Sequence, residues 1–270
     1  MRTSEWIQAG FATILAVAAW LVPLSFRRRL TIALLALCAL VVVALARASA
    51  YFLPPDASSI LRDWIPVLLT FVPYWQTGQM FTRPNEKIQA WLLESDHRLF
   101  QLASRAGLKF SPSARLTMEW AYALCYPMVP LGLGTLYFAG KSWAANTFWF
   151  LVLVPTYLCY AITPFVPALP PRSLENGASG SSATKSRVFN LWLLKYGSIQ
   201  AISFPSAHVA ASLAVSLVLI TLVPLAGWIF LAITFWIAVA AVVGRYHYTI
   251  DVVLGAVLAL AVYGAWRVFT

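Results

Sequence analysis

Apolar runs of about 20 residues recur along the whole chain, and each is long enough to cross a hydrocarbon core about 30 Å thick. Eight such segments are expected from the sequence, near 6–26, 30–53, 60–80, 116–138, 144–166, 206–225, 227–244 and 250–268. Of the 270 residues, 61% are hydrophobic and 10% are charged, with a mean hydropathy of +0.76. A soluble domain carries about 25% charged residues, so this chain lacks the charge to cover a water-facing surface. The expected fold is therefore all-α, a polytopic transmembrane helical bundle of about seven to eight spans. The segment 60–80 is the weakest of these, because Pro66, Pro73 and several polar residues interrupt it.

Two segments do not read as spans. In 85–104, Ile88, Trp91, Leu92, Leu99 and Leu102 fall broadly on one helical face among charged neighbours, as expected of a helix lying in the interface plane. The segment 167–200 opens on PALPPR, runs through ENGASGSSATKS and ends amphipathic at VFNLWLLKYGSI. Gly, Ser and Pro at that density leave backbone groups that a bilayer cannot satisfy, which makes it a loop. No internal repeat is visible. The chain reads as one integrated membrane domain, with N-terminal helices over 1–140 and a catalytic core over 141–270.

The net charge of +10 fits basic residues flanking spans and meeting anionic headgroups. No basic-aromatic nucleic-acid module accompanies it. Cys38, Cys125 and Cys159 all lie in apolar segments without CxxC spacing, as small core residues do. The first apolar run does not resemble a cleavable signal, because Arg27, Arg28 and Arg29 follow it instead of preceding it.

The chemistry concentrates near the C-terminus. Ser203-Phe204-Pro205-Ser206-Ala207-His208 opens the span at 206–225, and Pro and Ser are good helix-starting residues. Open N–H groups near Ala207 and His208 would suit a phosphate. Gly244-Arg245-Tyr246-His247-Tyr248-Thr249-Ile250-Asp251 opens the last span, where His247 and Asp251, four apart, share a helical face. Asp251 is the only acidic residue after Glu175, and a carboxylate starting a membrane helix is a functional candidate by default. The remaining histidine, His97, stands alone in the interfacial segment and is assigned no chemistry.

SFPSAH followed about 40 residues later by HYTID resembles the second and third signatures of the type 2 phosphatidic acid phosphatase (PAP2) superfamily. The run HYTIDV is most similar to its inositol phosphorylceramide synthase and sphingomyelin synthase branch. Three departures stand out. Ala207 replaces the usual Gly, Ala241 occupies the third motif's arginine position, and no segment matches the first motif fully. Arg83-Pro84 has Gln76 in place of the motif's lysine, whereas Arg172 follows Pro170-Pro171 and leads into the loop before SFPSAH; Arg172 is the preferred assignment.

The resemblance implies that His247 attacks phosphorus, Asp251 orients it, and His208 serves as general acid and then base. Arg172, Ser206 and Arg245 would neutralise the phosphoryl oxygens. It implies no metal or other cofactor, and a membrane phospholipid or lipid phosphate as substrate. Water and an alcohol remain open as acceptor, as does a non-catalytic alternative, a phospholipid-binding transporter or scaffold. Oligomeric state is not legible.

Sidedness draws on two opposed arguments. Eight spans put 14 of the 19 basic residues on the site's side: three at 27–29, six in 81–115, four in 167–205, and Arg245. The positive-inside rule makes that side cytoplasmic, whereas the resemblance places such sites on the extracytoplasmic face, here of the plasma membrane. The expectation adopted is extracytoplasmic, with the N-terminus outside and 60–80 re-entrant or interfacial, so that the 27–29 turn is separated from the site.

Overall fold

The computed structural model describes residues 1–105, 111–174, 185–199 and 201–269; the run 175–184, expected as a flexible loop, lies outside them. Every extended regular element among the described residues is an α-helix, joined in places by short 3-10 turns. The N-terminal helices are α1 (Thr3–Leu21), α2 (Phe26–Ala48), α3 (Pro55–Leu69), α4 (Phe71–Met80) and α5 (Glu86–Arg105). Then come α6 (Pro112–Ala123), α7 (Met128–Phe138), α8 (Ala145–Ile162), α9 (Lys185–Gly197), α10 (Ala207–Leu222), α11 (Pro224–Val243) and α12 (Thr249–Phe269).

Among the described residues, five helical segments are long and apolar enough to cross a membrane: Thr3–Leu21, Phe26–Tyr51, Ser142–Phe165, Pro224–Val243 and Thr249–Phe269. The pair Leu116–Ala123 and Met128–Phe138, bent by 65°, raises the number to six if it counts as one. By length and apolarity alone the described helices thus give five to six spans, against the seven to eight expected from the sequence. The segment at 60–80 divides into α3 and α4 at Thr70, with Pro66 inside α3. The helix α10 is apolar but has only 16 residues, about 24 Å of rise.

In hydrocarbon, burying apolar surface gains nothing from water exclusion, so helices associate through close packing and interhelical hydrogen bonds. The helix α10 is built that way. Ala210, Ala214, Ser212 and Ser216 are buried in it, and the Ser216 hydroxyl pairs with Thr234 of α11 at 3.0 Å. Phe148, Trp149 and Val152 of α8 pack with Ala214, Val215 and Val218 of α10 in the largest core. Ile7 and Phe11 of α1 and Trp64 of α3 lie against the same core, so the N-terminal and C-terminal helices share it.

Polar contacts define two ends of the bundle. At one, the Arg2 guanidinium meets the Asp63 carboxylate, and Arg62 pairs with Glu5 at 2.7 Å. Tyr137 donates to Asp63 at 2.7 Å, and the Thr3 amide donates to Asn146 at 3.0 Å. At the other, the Asn85 amide donates to the Pro167 carbonyl at 2.8 Å. Leu24 packs on Met80, and Arg28 donates to the carbonyls of Gln79 and Phe81. The turn at 27–29 therefore sits at the same end as Asn85 and Pro167. The sequence reading has 60–80 separate that turn from the later loops, whereas α3 and α4 together run from one end to the other, Asp63 at the first and Met80 at the second.

The interfacial segment forms α5, but its inward face differs from the expected stripe. Gln89, Leu92 and Asp96 are buried, while Trp91, Leu99 and Leu102 are exposed. Leu92 packs with Ala168, Ile202, Phe204 and Tyr248. The polar inward residues bind the start of α12: Gln89 donates to the Tyr248 hydroxyl, and the Thr249 amide donates to Asp96 at 2.9 Å.

Candidate active site

Ser206 is the N-cap of α10: its hydroxyl accepts from the Val209 amide at 3.5 Å, and its carbonyl accepts from Ala210 at 3.0 Å. The first-turn amides of Ala207 and His208 have no backbone acceptor among the described residues, as expected at a helix start. The Ser206 amide in turn donates to the Asp251 carbonyl at 3.0 Å, tying the start of α10 to the first turn of α12. That approach depends on Gly255, where an added Cβ would lie 2.4 Å from the Ser206 carbonyl oxygen.

The α11–α12 turn is built to present His247. The amides of Tyr246 and His247 both donate to the Ala241 carbonyl at 2.9 Å. Between them and the helix, Arg245 takes the left-handed region at φ 61°, which a side chain with a Cβ adopts only at a cost of about 1–3 kcal/mol. Three contacts hold it there. Its amide donates to Val242 at 3.0 Å, its carbonyl accepts from the Arg172 amide at 2.9 Å, and its guanidinium pairs with Asp96 at 2.9 Å.

The expected pairing within the third motif is present. Nδ1 of His247 lies 3.2 Å from Oδ1 and 3.3 Å from Oδ2 of Asp251, a residue with no solvent exposure. The Tyr248 amide also donates to Asp251 at 3.2 Å, so the carboxylate is held by two donors. With Nδ1 facing Asp251, Nε2 is the nitrogen of His247 without a hydrogen-bond partner among the described residues. The ring of His208 stands 5.8 Å from that of His247, centroid to centroid, at 83°. Arg172 approaches the same turn, donating from Nη1 to the Tyr246 carbonyl at 3.2 Å. The arrangement thus gathers two imidazoles, one of them held by a buried carboxylate, and a guanidinium around one turn.

The other sequence assignments divide. Ser206 lines the site, but its hydroxyl is wholly buried and caps α10. Arg245 turns toward α5, where its guanidinium meets Asp96 and lies 5.1 Å over the Phe100 ring. Arg83 is exposed in the α4–α5 linker, and His97 bonds Gln101 on the exposed side of α5. Among the described residues, no three His, Cys, Asp or Glu side chains gather into a metal-binding group.

Sequence reasoning missed a further shell around Tyr246. Its ring stacks on Tyr122 at 3.8 Å and 8°, with the Arg187 guanidinium 5.0 Å over the ring. Its hydroxyl donates to Glu119, and burial, followed by that bond, holds the hydroxyl's pKa above the usual tyrosine range. Gly244 makes room for the ring, since a Cβ there would lie 2.5 Å from it. The only sequence signal for this shell was Glu119 itself, an acidic residue inside an apolar run.

A family model described as the PAP2 superfamily matches residues 90–265. No curated protein and no solved structure matches the chain.

Proposed function

The chain belongs to the PAP2 superfamily, and from that membership together with the site's geometry we propose that it is an integral-membrane phosphatase or phosphotransferase acting on a lipid phosphate through a phosphohistidine. The observation that carries this reading is the pairing of His247 Nδ1 with buried Asp251 while the His208 ring stands 5.8 Å from the His247 ring. In the first half-reaction, Nε2 of His247 forms a bond to phosphorus as the bond to the leaving oxygen breaks. His208 gives that oxygen its proton. In the second, His208 removes a proton from water or an alcohol, whose oxygen takes the phosphoryl group and frees His247. Asp251 keeps Nδ1 protonated and the ring oriented, the role of the third member of a triad. Arg172 offsets charge on the equatorial oxygens, the contribution that dominates phosphoryl transfer.

The HYTIDV run supports a place near the inositol phosphorylceramide synthase and sphingomyelin synthase branch, hence transfer to an alcohol. The bundle's two ends support a topology of eight passages, with the α3–α4 pair, the α6–α7 pair and the short α10 each counted as one. Arg28 binds the last carbonyls of α4, and Arg29 donates to Val22 at 3.0 Å at the end of α1. That capping work accounts for two basic residues of the 27–29 turn, which leaves the extracytoplasmic orientation as our reading.

The test is phosphate release from radiolabelled phosphatidate by the purified full chain in detergent micelles with EDTA, with and without an added lipid alcohol. We expect turnover in wild type, an alkali-stable phosphoenzyme, and neither in His247→Ala. Turnover by His247→Ala would overturn the phosphohistidine; a wild type that binds the lipid without turnover would favour a carrier or scaffold.

A further inference from the structure

Glu119 is the only acidic residue of α6, and it is buried where α6, α9 and the α11–α12 turn meet. Its carboxylate accepts from Arg187 at 2.9 Å, from Asn190 at 2.8 Å and from the Tyr246 hydroxyl. Asn190 also donates to the Glu119 carbonyl at 2.7 Å, and Arg187 to the Gly244 carbonyl at 2.7 Å. A buried carboxylate held by three donors gives little net stability over apolar packing of the same volume. The geometry gives it a more specific consequence.

Tyr246 directly precedes His247, and its carbonyl is the anchor of Arg172. Wherever the Tyr246 ring is held, the nucleophile and the phosphate-facing cation are held with it. The ring is fixed on one face by Tyr122, over the ring by Arg187, and at its hydroxyl by Glu119. Tyr122 also meets His208 edge-on at 6.2 Å, so the same cluster touches both histidines. Arg187 and Asn190 come from α9, which is thereby coupled to a turn nearly 60 residues away in the chain.

We propose that Glu119 is a positioning residue for this site: by holding the Tyr246 hydroxyl together with Arg187 and Asn190 of α9, it sets the 244–248 turn so that His247 and Arg172 face His208. The inference rests on the phosphoryl-transfer reading above. Glu119 touches no reacting atom, so its loss acts on the chemical step through geometry, and a displacement of about 1 Å costs on the order of 100-fold in rate.

The experiment compares wild type, Glu119→Gln, Tyr246→Phe and the double variant, each as the full chain in detergent. Radiolabelled phosphatidate is the substrate, and the thermal midpoint of each protein is recorded. Each single variant should lose about 10- to 100-fold in kcat and in the rate of phosphoenzyme formation, with KM changed by less than about twofold. The double variant should be no slower than the slower single, because both act through the same contact between residue 119 and the Tyr246 hydroxyl. Unchanged kcat in both singles, a loss confined to KM, or losses that multiply in the double would overturn the proposal. Should Glu119→Gln not fold, Tyr246→Phe decides alone, since it deletes one oxygen and keeps the stack. A wild type without His247-dependent turnover sinks the functional reading and this inference with it. An active wild type, a dead His247→Ala and undiminished Glu119→Gln and Tyr246→Phe sink the positioning role only.

Discussion

The amide of Ser206 donates a 3.0 Å hydrogen bond to the backbone carbonyl of Asp251. These residues lie 45 positions apart, one capping α10 and the other in the first turn of α12. The bond brings the helix that carries His208 to the helix start that orients His247. The Ser206 amide is one of the N–H groups left open at the start of α10, and the Asp251 carbonyl of the neighbouring helix supplies its acceptor.

Gly255→Ala is expected to loosen the junction. The added methyl would sit 2.4 Å from the Ser206 carbonyl oxygen, which is backbone and cannot swing away. Overpacking of this kind costs about 1–3 kcal/mol. A lower midpoint in detergent thermal unfolding and a reduced turnover should appear together; an unchanged midpoint would mean that α10 and α12 are not in this contact.

His208 as general acid predicts a dependence on the leaving group. His208→Ala should lose about 100-fold or more on an alkyl phosphate. It should lose far less on a nitrophenyl phosphate, whose oxygen leaves without a proton. His247→Ala should be inactive on both, and His97→Ala active on both. Equal losses by His208→Ala on the two substrates would remove it from the role of acid.

Arg172→Ala should reduce kcat/KM far more than Arg83→Ala, because Arg172 binds the Tyr246 carbonyl and Arg83 is exposed in a linker. Arg172→Lys should recover little, since a point charge does not reproduce the planar donor set. Steady-state assays of the three variants check this, and a reversed order would move the first motif to Arg83.

Orientation is testable with single cysteines at Ser25 and Ser142, in a background lacking Cys38, Cys125 and Cys159. Both positions are exposed. Ser25 lies in the turn beside Met80, and Ser142 follows Lys141, whose ammonium binds the Leu222 carbonyl at the far end of α10. An impermeant thiol reagent on intact cells should label position 25 and spare 142. Labelling of 142 alone would place the site in the cytoplasm, and labelling of both would break the two-ended topology.

What the sequence determined by itself was whatever depends on local composition and short spacing. Apolar run length gave the membrane character and the helical class, since only helices and closed barrels satisfy backbone groups in lipid. The four-residue spacing of His247 and Asp251 gave their pairing, because a helix places such residues on one face. The tertiary structure decided what depends on partners distant in the chain. It divided 60–80 into α3 and α4, and put the 27–29 turn at the catalytic end through Arg28. It paired Arg245 with Asp96 and brought Arg172 onto the turn that carries His247. It also assembled Glu119, Arg187 and Tyr246, residues 68 and 127 positions apart from Glu119, into one network. No periodicity encodes such a meeting, because side-chain spacing specifies the face a residue occupies and not the helix that face will meet.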